Sequence, residues 1–489
     1  MNDALNQSNT GTVIPRLSLM MFLQFFTWGT WFATLGAAMD TAKLGPFIAG
    51  AYITAPIAAI IAPLFLGLIA DRFFSSERVF GVLMLIGAGI MFFIPGVADS
   101  AKENATAAYS QLEASGLSGD SLTEAFGESQ IKDNSSGNLL FWMILAHMLC
   151  FMPTIGLGNT VAFANIPNQD KFPAVRVWGT IGWIAAGLLV GFSGWSQSFF
   201  IFQLCAISSL VLGLFCFFLP HTPPPLKGKP VDMRSLLMLD ALGLLAKPNF
   251  LVFALASTAI CIPLAWYHGS SSQFLSTAGF RAEAATLTLG QMWEIVFMLL
   301  IPFFFRKMGV KMMLLVGMAA WALRYVLYAF GAPSQVTWMF LAAISLHGIC
   351  YDFFFVTGFM YTDKKAPKEI RGQAQSLLVF LTQGIGMWLG FYLMGKFAVT
   401  STESRAFGDA LAAARGESKI GFGETFLNMF SRSYPDGLDT TNLAATMDQW
   451  KSFWLIPAGI ALVVGVVFAL TFWDRMSDEE REQMAEEMH

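Results

Sequence analysis

Residues 221–248 read HTPPPLKGKPVDMRSLLMLDALGLLAKP, and this stretch divides the chain. His221-Thr222-Pro223-Pro224-Pro225 cannot continue a helix, because each proline removes a backbone donor and crowds the preceding turn. Lys227, Lys229 and Arg234 follow directly. Working outward, both flanks are dominated by long apolar runs. A helix needs about 20 apolar residues to cross the hydrocarbon core of a bilayer. Runs of that length occur near 17–39, 45–69, 78–98, 139–165, 174–194 and 198–220, and again near 249–272, 284–305, 310–331, 336–360, 371–398 and 452–473. Six spans on each side of a polar break predict an all-α membrane protein. Its twelve transmembrane helices would form two pseudo-symmetric six-helix bundles.

The expected organisation is an N-terminal bundle over 1–220, a cytoplasmic linker over 221–248, a C-terminal bundle over 249–473 and a cytoplasmic tail over 474–489. Polar insertions at 99–138 and 399–451 interrupt the two bundles on the outer side. Within the linker, Leu236, Leu237, Leu239, Leu242, Leu244 and Leu245 predict a short helix lying along the membrane surface. The first apolar run has spanning length and no small-residue cleavage site, so it reads as a retained helix.

Composition agrees with this reading. Of 489 residues, 55% are hydrophobic and 13% charged, about half the charge of a soluble domain. A net charge of −4 offers no basic face for nucleic acid. The odd count of five cysteines, all in apolar runs, argues against a disulfide or zinc framework. Lysine and arginine set the orientation. With both termini inside, seventeen fall in inner segments and two, Lys43 and Arg281, in short outer loops. Both termini are therefore expected in the cytoplasm, with the protein in a bacterial inner membrane.

The halves echo one another. Gly67-Leu68-Ile69-Ala70-Asp71-Arg72 follows span 2, and Arg306-Lys307-Met308-Gly309-Val310-Lys311 follows span 8. Pro173-Ala174-Val175-Arg176 leads into span 5, and Pro367-Lys368-Glu369-Ile370-Arg371-Gly372 into span 11. Gly67, Asp71 and Arg72 resemble the gating-loop signature of the major facilitator superfamily.

Four ionisable groups fall within spans: Arg176, Glu294, Arg324 and Asp352. A charge at the bilayer centre costs at least about 2.5–3.5 kcal/mol on insertion scales. Each therefore needs a partner or a wet cavity, and two of each sign allow mutual pairing. A carboxylate facing a cavity could instead take up a proton and drive a solute uphill. Helical spacing gathers polar groups around these charges. Gln291 and Glu294 share a face of span 8, Arg176, Thr180 and Trp183 a face of span 5, and His347 and Tyr351 a face of span 10. Asp352 points about 100° away from Tyr351, toward a separate proton path. His268 follows Tyr267 on span 7. His147, Gln24 and Asn159 read as interhelical hydrogen bonders. Such groups beside Trp and Tyr rings suit a planar heterocycle on a polyol, and equally a sugar or an aromatic amino acid.

At these residues the sequence resembles the nucleoside:proton symporter family of the major facilitator superfamily. The likeness is strongest in Phe22-Leu23-Gln24-Phe25-Phe26-Thr27-Trp28-Gly29-Thr30-Trp31, Met152-Pro153-Thr154-Ile155-Gly156-Leu157 and Arg176-Val177-Trp178-Gly179-Thr180-Ile181-Gly182. It continues in Ile301-Pro302-Phe303-Phe304 and Tyr351-Asp352-Phe353-Phe354. The resemblance implies nucleoside import by proton symport through alternating access. It implies a solute site of Arg176, Thr180, Trp183, His268, Gln291, Glu294, His347 and Tyr351, with Glu294 and Asp352 for proton coupling. His347 stands where a Tyr is typical, Tyr351 where a Phe is typical, and Ala265 and His268 where enteric members carry amides. The expected partners are a nucleoside, a proton and the lipid bilayer, with no nucleic acid, metal or organic cofactor, and with the chain a monomer. A carrier of another small polar metabolite such as a sugar, and a nucleoside sensor that does not transport, are the alternatives. An intramembrane enzyme fits less well, because no span holds a His/Glu pair at metal spacing or a Gly-flanked serine.

Overall fold

The computed structural model describes residues 2–66, 71–167, 171–224, 227, 232–416 and 422–473, with only the backbone of 2–12, 71 and 422. The tail 474–489 and Gly67 lie outside the described residues. Where described, the regular structure is helical throughout. The helices are α1 (Asn2–Gly29), α2 (Leu35–Thr41), α3 (Gly45–Phe65), α4 (Ser76–Ala114), α5 (Gly119–Asp133), α6 (Ser135–Asn165), α7 (Phe172–Phe192) and α8 (Phe200–Cys216). After the linker come α9 (Pro248–Thr277), α10 (Glu283–Gly331), α11 (Thr337–Lys365), α12 (Lys368–Lys396), α13 (Thr402–Arg415), α14 (Phe422–Asn428) and α15 (Leu443–Thr471).

Among the described residues nine helices are long and apolar enough to cross a membrane. One of them, α10, holds two spans joined at Gly309, whose φ of 66° and ψ of 177° leave the helical region. Only glycine adopts that conformation without cost. Counting α10 twice and adding the shorter α8 and the less apolar α1 accounts for the twelve expected spans. Prolines inside α3, α4, α6, α9, α10 and α15 are tolerated because neighbouring helices satisfy the freed backbone groups.

Helices before the linker pack chiefly on one another, as α4 does on α6 and α8, and α1 on α7. Those after it do the same, α10 against α15 and α11, and α9 against α12 and α15. The two groups meet along α7 with α10, α3 with α12, and α2 with α9.

The inserted segments are mostly helical. No Pro or Gly interrupts the chain between Gly96 and Ala114, so the third span continues as a 39-residue helix well past its apolar part. α5, α13 and α14 cover the same end of the molecule. We refer to it as the insertion end, and to the opposite end as the linker end. The linker departs from expectation. Instead of one helix over its leucines it forms a turn of helix at Met233–Leu236 and a 3-10 turn at Ala241–Ala246. Met238, at φ 56°, separates the two, and an L side chain at positive φ cannot continue a helix.

At the insertion end the groups are drawn tightly together. A Cβ on Gly191 of α7 would stand 2.6 Å from Ala285 Cβ of α10, and one on Gly36 would stand 2.5 Å from the Gly269 carbonyl of α9. Gln197 donates across the same seam to Glu283 Oε1 at 2.6 Å and Ser276 Oγ at 2.7 Å. Lys43 pairs with Asp409 of α13 at 2.6 Å. The five cysteines are free, four of them buried.

Candidate functional site between the two helix groups

α7 and α10 carry the centre of the interface. α7 brings Arg176, Thr180 and Trp183 to one face at the helical repeat. Gly179 lacks a side chain where the Arg176 guanidinium turns back, and that guanidinium lies 4.2 Å from the centroid of the Phe25 ring. Trp183 meets Trp28 edge-on, with centroids 5.5 Å apart. The first limb of α10 answers with Gln291 and Glu294, one turn apart.

Glu294 is the meeting point. Its Oε1 accepts from Thr180 Oγ1 at 3.5 Å, across the interface, and its Oε2 lies 3.8 Å from His347 Nε2. Its side chain is 12% exposed, so water reaches it. The charge of Arg176 acts on it, and its own charge acts on Asp352. His347 is buried and held from behind: its Cβ stands 2.9 Å from where a Cβ of Gly290 would be. The His347 ring stacks on Tyr267 at 5.4 Å and lies 5.7 Å from Tyr351, which is half-buried on the same face. His268 lies 5.9 Å from Phe32. Together with Trp183, Tyr267, Thr288 and Gln291 it lines a small cavity of about 20 Å³. That is room for about one water.

The structure thus brings together Arg176, Thr180, Glu294, His347 and Tyr351, and, toward the insertion end, Trp183, His268 and Gln291. Asp352 sits apart. It is fully buried at the start of a π-helical stretch, Asp352–Val356, and among the described residues neither carboxylate oxygen has a hydrogen-bond partner. Arg72 lies at the linker end within the short helix Asp71–Phe73, away from these groups.

One expectation is corrected. The in-span charges do not pair two by two. Among the described residues Arg324 makes no ion pair; its Nε donates to the Ala343 carbonyl at 3.0 Å, and its guanidinium lies 4.1 Å from the Tyr267 ring centroid. Arg324 belongs to the second limb of α10, where Tyr267 of α9 and the Ala343 carbonyl of α11 meet its guanidinium. The expected interhelical bonds of two polar residues are present. Gln24 Nε2 donates to Thr154 Oγ1 at 3.1 Å, and His147 Nδ1 is 3.2 Å from the Gly87 carbonyl. Phe25, Trp28 and Tyr267 were not singled out in the sequence, where they are aromatic residues among many. A chain with 47 Phe, 14 Trp and 9 Tyr gives no composition signal for them.

A family model described as "Nucleoside H+ symporter" matches residues 12–105 and 131–408. The chain is 38% identical over 391 residues to the putative nucleoside transporter YegT of Escherichia coli (strain K12), covering 78% of this chain and 83% of that one. To the xanthosine permease of the same organism it is 27% identical over 479 residues, 94% of this chain and 96% of the other. The crystal structure of the nucleoside transporter NupG superposes with a TM-score of 0.68 at 25% identity, over 95% of this chain and all of that one. A fold of apolar spans meeting at a charged, half-wet seam therefore has a family: the chain belongs to the nucleoside H+ symporters, proton-coupled nucleoside carriers of the major facilitator fold, and is not an enzyme.

Proposed function

We propose that the nucleoside lies between the two helix groups at mid-span. Arg176, Thr180 and Trp183 would hold it from one side, and His268, Gln291, Glu294, His347 and Tyr351 from the other. The rings offer faces for the base. The guanidinium, amide and hydroxyl groups offer bonds to its edge and to the ribose. Glu294 carries the proton that couples to the solute, and buried Asp352 is the second proton site. Each half, 1–220 and 249–473, moves largely as one six-helix body around this seam. Both termini face the cytoplasm and the insertions face outward, in a bacterial inner membrane. The carrier works as a monomer, with the proton as coupling ion and without metal, organic cofactor or nucleic acid.

The observation that supports this reading best is Glu294 itself. One carboxylate touches Thr180 from the other helix group and faces His347 from its own. Adding a proton there removes a charge from the seam and weakens its hold on Thr180. That links protonation to the contact between the halves.

Proteoliposomes with an acid exterior should accumulate labelled uridine or adenosine above the level reached without a gradient. Glu294→Gln should abolish that accumulation and still exchange solute across the membrane. Binding without flux would make the protein a sensor. Accumulation unchanged in Glu294→Gln would remove Glu294 from the proton path.

A further inference from the structure

Behind the candidate site stands a column of side chains whose far end, Arg324, has no assigned part in it. Arg324 is wholly buried in a span. A bare guanidinium there is expensive. Its charge is met by one backbone carbonyl, Ala343 O at 3.0 Å, and by two aromatic rings, Tyr267 at 4.1 Å and Trp321 at 5.2 Å. A desolvated cation over the face of an aromatic ring is attracted by the ring quadrupole. Tyr267 in turn stacks on His347 at 21° between ring planes, and His347 faces Glu294. The column ties α9, both limbs of α10 and α11 together inside one helix group.

Two details show that stacking, and not hydrogen bonding, is what Tyr267 supplies. Its hydroxyl is buried without a hydrogen-bond partner among the described residues, so the ring makes the contacts. The His347 backbone has little freedom, being crowded by Gly290 on one side, while its neighbour Gly348 is pressed against the Trp293 carbonyl. What remains adjustable is the plane of the imidazole, and Tyr267 lies against it.

We propose that Arg324 is a positioning residue for solute recognition. Acting through Tyr267, it sets the plane of the His347 ring and so the geometry of the His347–Glu294 pair that meets the base. This rests on the reading of that pair as part of the solute site. Arg324 never touches the solute. A flat guanidinium lying over the Tyr267 ring suits the task, whereas a lysine ammonium keeps the charge but cannot stack as a plane.

The test is uptake kinetics with labelled uridine and adenosine in proteoliposomes, for Arg324→Lys, Tyr267→Leu, Tyr267→Phe and His347→Phe, each checked for folding by thermal stability. Tyr267→Phe should behave as the parent. Arg324→Lys and Tyr267→Leu should raise KM about tenfold or more, change the ratio of adenosine to uridine KM, and leave the maximal rate per folded molecule within about twofold. A purely structural role would lower yield and melting temperature and leave KM and the ratio unmoved. If Arg324→Lys does not fold, Tyr267→Leu alone decides. A parental KM and ratio in the folded variants overturns the proposal. His347→Phe separates the two levels: an unchanged KM there refutes the site reading itself. A changed KM there with parental Arg324→Lys and Tyr267→Leu refutes only the positioning role.

Discussion

The two ends of the interface are held in opposite ways. At the insertion end, polar and close-packed contacts cross between the helix groups: Gln197 to Glu283 and Ser276, Lys43 to Asp409, Gly36 against Gly269, and Gly191 against Ala285. At the linker end, among the described residues, several strong polar contacts lie within a group. Glu77 accepts from Thr222 N at 3.0 Å and lies 2.9 Å from His221 Nδ1. Lys311 donates to the Ala469 and Phe472 carbonyls, Asn249 to the Trp473 carbonyl, and Arg371 pairs with Asp363. One end is stitched across the seam, and the other is braced on either side of it. The difference identifies the conformation. The carrier is closed at the insertion end, and opening toward the linker end leaves these braces intact. Alternating access requires the stitches to be undone, and each can be broken separately.

Gly191→Leu should have the largest effect. The missing Cβ position is already 2.6 Å from Ala285 Cβ and 2.7 Å from Ala285 N, so a leucine has no rotamer that avoids the α10 backbone. Small residues at such crossings let the helices approach. The insertion end should be unable to close, and accumulation should fall by about tenfold or more. A cysteine placed at Thr288 should become accessible to a membrane-impermeant maleimide from that side. Parental accumulation with no gain in labelling would show that the seam relaxes around the side chain.

Much of this was legible beforehand, for a physical reason. Span positions follow from apolar run length, and the side chains of Gln291 with Glu294, and of Arg176 with Thr180, share faces because the helical repeat makes them. What the sequence withholds is which faces meet. Arg324 reads as half of a salt bridge, yet its helix face looks onto Tyr267 and a carbonyl. Asp352 reads as one step around from Tyr351, and a π-helical stretch beginning there leaves it buried and unbonded. A second π-helical stretch, Phe380–Gly386, is equally silent in the pattern, since an extra residue per turn in one place leaves no periodic trace. The polar continuation of α4 to Ala114 was hidden because hydropathy marks where the membrane ends and not where the helix does.

Asp40→Asn comes next and depends on pH. Asp40 lies just past the insertion-end limit of the first span, close to Lys43, Arg405, Asp409 and Gln273. Its side chain is exposed within the cavity it lines with Lys43, Gln273 and Arg405. Desolvation by the surrounding walls pushes the carboxyl up from 3.8 to about 6, against the pull of Gln273, Arg405 and Lys43, and water screens part of that effect. A carboxyl with a raised folded-state pKa favours the closed form when protonated, so this group stabilises closure at low pH and loses that contribution as pH rises from about 4 to about 6. Melting temperature followed from pH 7.5 to pH 4.5 should therefore contain a component, reduced by the water around the side chain, that Asp40→Asn removes. The variant should be the more stable of the two at pH 7.5. A pH profile unchanged by the substitution would mean that the water in contact with Asp40 screens it fully.

The smallest effect belongs to the pair with the shortest bond. Lys43 and Asp409 are 2.6 Å apart and join the first outer loop to α13, but their side chains are 26% and 49% exposed. Exposed pairs contribute less than about 1 kcal/mol, because water and salt screen them and two long side chains lose freedom. Lys43 also lies 4.5 Å from the centroid of the Tyr109 ring, so part of its contact is with its own helix group and survives opening. Lys43→Ala should lower the melting temperature by no more than a degree or two, and the difference should vanish in about 1 M salt, where screening acts within about 3 Å. A loss as large as that of Gly191→Leu, persisting in high salt, would reverse the order. The insertion end would then be held by charge across the outer loops and not by glycine packing at the spans.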